Sequence, residues 1–291
     1  MTGEEEKGRQ SRLRLVVFTD LDATLLDHHT YSWQAAATAL ARLRSAHVPV
    51  ILCTSKTRAE TEPLRAELEL SDPFIVENGG AIVIPLDYFL FALPEAQPRE
   101  HFLLLELGTP YAKLVRALEE AATSAEVTVR GFHQMSPAEV ATLCGLDVAA
   151  ARRALQREYD EPFVLETQDV EKQEQFFARL RQQELRWVRG GRFWHLMGEN
   201  DKGEAVFCLA ELYRRRDGAI LTVGLGDSPN DLDFLAVVDV PILVARADGS
   251  YDEEVQRVLP RVRLAPGIGP VGWNAAVLEL LEEARAGKDP V

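Results

Sequence analysis

Short apolar runs rich in β-branched residues, separated by stretches of helical periodicity, leave this chain few folds to choose from. Leu15-Val16-Val17-Phe18-Thr19 carries no charge, and neither does Val48-Pro49-Val50-Ile51-Leu52-Cys53 or Phe74-Ile75-Val76. A strand that is apolar on both faces needs cover on both, which a parallel sheet flanked by helices supplies. Residues 31–46 and 56–70, between these runs, have helical spacing. Strand, helix, strand, helix, strand predicts a doubly wound, Rossmann-like α/β sheet. The alternation stops near Pro85 and resumes at Asp201. A helix is expected over 202–216, a strand over 219–225 and a helix near 230–238. A strand over 242–244 and a terminal helix over 271–286, stopped by Gly287, follow.

The stretch between these two pieces has a different texture. Residues 85–99 hold three prolines and several aromatics. Strands are expected over 102–107, 127–129, 163–165, 185–188 and 193–197, and helices over 111–123, 136–143, 147–159 and 170–183. Ser136-Pro137-Ala138-Glu139 has the form of a capping box with proline at the first helical position. Gly190-Gly191 reads as a hairpin turn. The predicted organisation is a disordered leader over 1–14, an α/β core over 15–85 and 200–291, and an inserted α+β domain over 86–199.

Open α/β sheets bind ligands at the carboxyl ends of their strands. Here those ends carry Asp20-Leu21-Asp22-Ala23-Thr24, Thr54-Ser55-Lys56-Thr57, Glu77-Asn78-Gly79-Gly80 and Gly226-Asp227-Ser228-Pro229-Asn230-Asp231, and Asp201-Lys202-Gly203 sits where the alternation resumes. Any one of them is explained by ordinary turn and helix-cap chemistry. Five polar segments on one rim point to a site. Several carboxylates converging on one point need a hard cation such as Mg²⁺. One carboxylate can attack phosphorus, a second can carry the proton of the leaving oxygen, and hydroxyls with a lysine can hold phosphoryl oxygens.

Asp20-x-Asp22-x-Thr24, Thr54/Ser55, Lys202 and Gly226-Asp227-x-x-Asn230-Asp231, in that order, resemble the four motifs of the haloacid dehalogenase-like phosphatases. The insertion after the third strand is similar to the large α/β cap of the Cof-type branch. A narrower resemblance, to the mannosyl-3-phosphoglycerate phosphatases, rests on Phe74 to Gly80, Thr54 to Arg58, Arg157-Glu158-Tyr159-Asp160-Glu161 and Gly190-Gly191-Arg192-Phe193-x-His195. The resemblance implies hydrolysis of 2-O-mannosyl-3-phosphoglycerate to mannosylglycerate, a compatible solute, through an aspartyl phosphate. It implies Asp20 as nucleophile, Asp22 as general acid/base, and Asp20, Asp22 and Asp227 as Mg²⁺ ligands. Lys202, Asn230 and either Thr54 or Ser55 would hold the phosphate, with Asp231 bracing the metal site and Lys202. Glu77, Asn78, Arg157, Arg192 and His195 are the candidates for reading the rest of the substrate. The other reading of these five is turn-capping, surface charge and a satisfied histidine. The family has glycine where this chain has Ala23, and alanine is expected to serve there with a negative φ.

The remaining alternatives are a phosphatase of glucosyl-3-phosphoglycerate or sucrose phosphate, a phosphomutase, and a non-catalytic receiver-like module. Asp22 and the large insertion argue against the last. Charge narrows the partners further. The 291 residues hold 32 Lys+Arg against 46 Asp+Glu, a net charge of −14, which disfavours nucleic acid and anionic membranes. A sugar phosphate is also an anion, so Mg²⁺ and Lys202 must reverse the field locally, with Lys56, Arg58 and Arg192 adding to that reversal. Three scattered cysteines and no apolar run of membrane-spanning length suggest the cytoplasm, and a monomer or homodimer is expected.

Overall fold

The computed structural model describes residues 14–189 and 193–286. The predicted leader up to residue 13, the Gly190-Gly191-Arg192 turn and the Gly287 stop lie outside the described residues. The chain divides into two compact units. One comprises, of the described residues, 14–50, 208–229 and 235–286; the other comprises 51–207 and 230–234.

The first unit is built on parallel strands in the order Arg263–Ile268, Val240–Ala245, Ile220–Gly226 and Arg14–Thr19, with Val50 opening a further strand beside the last. Val16, Val17 and Phe18 have no exposed surface, as expected of a strand covered on both faces. The last helix, Gly269–Arg285, packs on Arg263–Ile268, on Val240–Ala245 and on the helix Ala37–Ser45. Its Trp273 is fully buried, and the indole Nε1 donates to Thr19 Oγ1 at 2.9 Å. That hydroxyl donates in turn to the carbonyl of Asp20 at 2.8 Å. The fold is therefore α/β with a parallel sheet, as the sequence predicts.

Two elements of the first unit were not expected from the sequence, the helix Glu253–Val258 and the strand Arg263–Ile268. The strand contains Pro266 and Gly267, which argue against strand, and it is tolerated because it lies at the sheet edge. The first predicted helix is shorter than its periodicity suggests: a 3₁₀ turn Gln34–Ala36 leads into Ala37–Ser45.

The second unit holds two antiparallel four-stranded sheets. One runs Phe74–Val76, Ala81–Pro85, Phe102–Glu106, Gln97–Arg99; the other runs Val129–Gly131, Asp160–Leu165, Trp194–Met197, Arg186–Arg189. Phe74–Val76, read from sequence as a third parallel strand, pairs antiparallel with Ala81–Pro85 and keeps a single parallel bridge, Cys53 to Ile75. The helices Tyr111–Ala125 and Val170–Gln182 contribute to a core with the second sheet, in which Leu114, Leu118, Phe163, Phe176, Leu180 and Leu196 are buried. Trp187 stacks on Phe177 at 4.6 Å, and Phe193 meets Phe132 edge-on at 5.1 Å, so these aromatics are packing residues. The Ser136–Glu139 capping box forms as read, ahead of the helix Pro137–Cys144. The helix predicted to run to 159 is instead Val148–Ala154, which leaves Arg157 to Asp160 outside it. No helix among the described residues is long and apolar enough to cross a membrane.

The Trp273–Thr19 bond ties the last helix to the end of the first strand. Trp273→Phe removes the indole donor and some buried volume, and should cost about 1–3 kcal/mol. The urea-unfolding midpoint measures this, and an unchanged midpoint would show that the tie contributes nothing.

Candidate active site

In the first unit, strand register does the assembling. Thr19 pairs with Leu225, so the residues that follow the two strands leave the sheet at the same end. The amide of Asp20 extends the ladder by donating to Leu225 O at 2.9 Å. Asp20 and Asp227 are both buried, and their carboxylate oxygens approach within 4.8 Å. Thr24 Oγ1 donates to Asp227 Oδ1 at 3.2 Å, and the amides of Thr24 and Leu26 turn back to Leu21 O. This tight turn carries Asp22. Oxygen donors of this kind suit Mg²⁺, which prefers carboxylates and retained water to softer ligands.

The turn corrects one expectation. Ala23 has φ +60°, in the left-handed region, not the negative φ expected of alanine. A Cβ there crowds the following carbonyl, at a cost of roughly 1–2 kcal/mol. The short Leu21-to-Leu26 loop leaves the backbone no other path, which is why glycine suits this position.

In the second unit, Lys202 Nζ and Asp231 Oδ1 are 2.8 Å apart and almost fully buried, with the ammonium 5.8 Å from the Phe234 ring centre. Lys202 opens the helix Lys202–Asp217. Asn230 Nδ2 donates to Asn78 Oδ1 at 3.0 Å. Asn78 and Gly79 are both left-handed, with φ 57° and 89°. A Cβ on Gly79 would lie 2.2 Å from Asp201 O, so only glycine lets this turn rest on the backbone that precedes Lys202.

Thr54 Oγ1 accepts from the Lys56 amide at 3.1 Å, ahead of the helix Arg58–Glu67 that Thr57 and Glu60 cap as a box. Thr54 is buried and Ser55 half-buried. Arg58 is held by Glu62 at 2.8 Å and Glu158 at 3.4 Å, so its charge is largely spent and does not reverse the field as expected.

The residues proposed to read the substrate also fall in this unit, except Arg192, which lies outside the described residues. Glu77 is fully buried and accepts the amides of Glu158 and Tyr159 at 2.9 and 2.8 Å. Burial, reinforced by Asp160, pushes its carboxyl up to about 7 against the pull of Arg157. Asn200, which sequence reading missed, donates to Glu77 O and Tyr159 O. Nothing in its sequence context marks it, because both of its partners are backbone carbonyls. His195 Nδ1 and Asp160 Oδ2 are 2.8 Å apart, and Arg157 Nη1 reaches the same oxygen at 3.3 Å. Arg157 points inward, with 8% of its side chain exposed.

A haloacid dehalogenase-like hydrolase family model matches residues 17–93. The glucosyl-3-phosphoglycerate/mannosyl-3-phosphoglycerate phosphatase of Methanococcoides burtonii is 43% identical over 92% of this chain and 98% of its own. Its counterpart in Persephonella marina is 35% identical over 94% and 99%. Solved structures share the fold, among them the following two. A phosphatase of the haloalkanoate (HAD) superfamily from Bacteroides thetaiotaomicron matches with TM-score 0.64 and 17% identity, covering 94% of this chain and 96% of its own. A Synechocystis sucrose-phosphatase solved with sucrose and phosphate matches with TM-score 0.57 and 15% identity, covering 94% and 98%.

Two outcomes follow from this geometry. Ala23→Gly should raise stability by up to about 1 kcal/mol, since the strain relieved exceeds the chain entropy glycine adds; a lower thermal midpoint would contradict this. Glu77 binds its proton more tightly in the folded chain than at the ordinary 4.5. The stability it contributes is full below pH 4.5 and is lost as pH rises through about 7. Urea unfolding across that window should show the decline in wild type and a flatter profile in Glu77→Gln; parallel profiles would refute it.

Proposed function

The chain belongs to the glucosyl-3-phosphoglycerate/mannosyl-3-phosphoglycerate phosphatases of the haloacid dehalogenase-like hydrolases, and on that premise we propose that it hydrolyses 2-O-mannosyl-3-phosphoglycerate to mannosylglycerate and phosphate with Mg²⁺. It is a phosphoric monoester hydrolase acting on a small sugar phosphate. The observation that carries the substrate assignment is the 43% identity, over nearly the full length of both chains, to a relative of that name. The double name of both relatives favours glucosyl-3-phosphoglycerate as a second substrate.

In this reading Asp20 attacks phosphorus in line with the bond to the glycerate oxygen. Asp22 gives that oxygen its proton as the bond breaks, leaving an aspartyl phosphate on Asp20. Asp22 then takes a proton from water as the water oxygen attacks phosphorus and the Asp20–phosphorus bond breaks. Lys202, Asn230 and the Thr54 or Ser55 hydroxyl hold the phosphoryl oxygens, and Asp231 keeps Lys202 extended. Asp20, Asp227 and the Asp22 carbonyl are the residues that would hold Mg²⁺, which supplies charge neutralisation for the phosphoryl group. Residues 86–199 form the inserted cap that reads sugar and glycerate, with Asn78, Arg192 and His195 as candidate contacts; Glu77, fully buried on two amides, supports the turn instead. A cytoplasmic monomer or homodimer completes the proposal.

Released phosphate measured on mannosyl-3-phosphoglycerate, glucosyl-3-phosphoglycerate and sucrose phosphate tests it. The first two should lead by kcat/KM, and chelator should abolish the signal. Asp22→Asn should lose about a hundredfold or more in kcat. Near wild-type turnover in Asp22→Asn, or a preference for sucrose phosphate, would overturn the reading.

A further inference from the structure

The turn that carries Thr54 and Ser55 exposes three successive backbone carbonyls, and each has a partner. Thr54 O accepts from the Asn78 amide at 3.0 Å, and Lys56 O accepts from the Glu77 amide at 3.1 Å. The middle one, Ser55 O, accepts from Arg157 Nη1 at 2.9 Å, across 102 residues of sequence. The outer two are backbone contacts that any side chains permit. The middle one depends on a single guanidinium.

That guanidinium is held by two further bonds. Its Nε donates to Ala154 O at 3.0 Å, and its Nη1 also reaches Asp160 Oδ2 at 3.3 Å. Asp160 is fully buried and is itself held by His195 Nδ1 at 2.8 Å. Glu77, buried beside it, is drawn to the same positive charge. Thr57 Oγ1 donates to Arg153 O at 3.0 Å, which brings the segment before Arg157 against the same turn. Only a planar fork can meet carbonyls in two directions and a carboxylate at once. With 8% of its side chain exposed, Arg157 has little surface to offer a substrate.

We propose that Arg157 is a positioning residue: by clamping the Ser55 carbonyl it sets the Thr54–Ser55 turn, and so acts on every phosphate ester the enzyme accepts and not on the sugar or glycerate. This rests on the reading of Thr54 or Ser55 as a phosphoryl ligand. A ligand to the glycerate or sugar would instead affect only substrates that carry those groups.

The test compares wild type, Arg157→Gln, Arg157→Lys and Asp160→Asn on mannosyl-3-phosphoglycerate and on p-nitrophenyl phosphate, which has neither sugar nor glycerate. Amide exchange at residues 54–57 is measured without substrate. Losing a charged hydrogen bond to a buried carbonyl predicts a fall of about tenfold to a hundredfold in kcat/KM on both esters by the same factor in Arg157→Gln. Arg157→Lys should fall alongside it, because charge without the fork does not restore the clamp. Asp160→Asn, which leaves the arginine in place, should fall less but equally on both esters. Exchange at 54–57 should quicken in all three.

A loss confined to mannosyl-3-phosphoglycerate, or unchanged exchange in folded variants, overturns the proposal. A lower melting temperature with unchanged kcat/KM on both esters also overturns it, since that is what a purely structural ion pair would give. A wild-type enzyme that cleaves p-nitrophenyl phosphate but not the sugar ester would refute the substrate assignment alone, because the exchange and p-nitrophenyl phosphate readings still decide on Arg157.

Discussion

Two carboxylates from opposite ends of the chain are forced together by the register of two parallel strands. Arg14–Thr19 and Ile220–Gly226 pair residue for residue, so Asp20 and Asp227 emerge side by side whatever their charges prefer. Buried like charges within 4.8 Å repel one another, and a hard dication is the general remedy. The sheet supplies the energy that holds them there, from strands with almost no exposed surface. The features around the pair serve the same constraint. Thr24 gives Asp227 a donor, Trp273 and Thr19 fix the Asp20 carbonyl, and the turn from Leu21 to Leu26 is tight enough to force Ala23 left-handed.

The second unit uses backbone groups where the first uses register. Glu77 is an acceptor with no proton to give when ionised, buried against two amides that have no other partner in a ladder. Asn200 mirrors it, a donor spent on two carbonyls. Between them the segment 157–160 is fastened to the Asn78-Gly79 turn, and that turn rests directly on the backbone before Lys202. A buried polar network of this kind is costly if incomplete, so removing one member leaves its partners buried and unpaired.

What could be read from sequence divides along the same line. Polar residues after apolar runs were legible, because strand ends in α/β sheets are where the chain must turn; Asp20, Thr54 and Asp227 stand at such ends, and Lys202 opens the helix where the alternation resumes. The strand with Pro266 and Gly267 was not legible, because local propensity argues against it and only its edge position permits it. The helix before Arg157 was read five residues too long, because its charged residues keep helical spacing past the point where Glu77 captures the backbone. Ala23 shows the limit most directly. Its conformation is set by bonds from Thr24 and Leu26 back to Leu21, and no property of alanine announces them. Arg157 was read as a candidate substrate contact or plain surface charge and not as inward-facing, since a sequence records charge and not direction.

The chain's charge of −14 poses a question that the side chains alone do not answer. Asp20, Asp22, Asp227 and Asp231 are four carboxylates, against which the motifs set one ammonium, and Lys202 is already paired with Asp231 at 2.8 Å. Arg58 is committed to Glu62 and Glu158, and Arg157 to Asp160. Lys202, Arg58 and Arg157 are therefore each paired with one of the protein's own acids. A phosphate dianion gains little from such a set, because each cation it approaches brings its carboxylate with it. A divalent ion on Asp20 and Asp227 would change that sum by two, from −3 to −1 for these four carboxylates and Lys202. On the proposed reading a metal held there would help to admit the substrate as well as to polarise it, and metal and substrate would bind with mutual dependence.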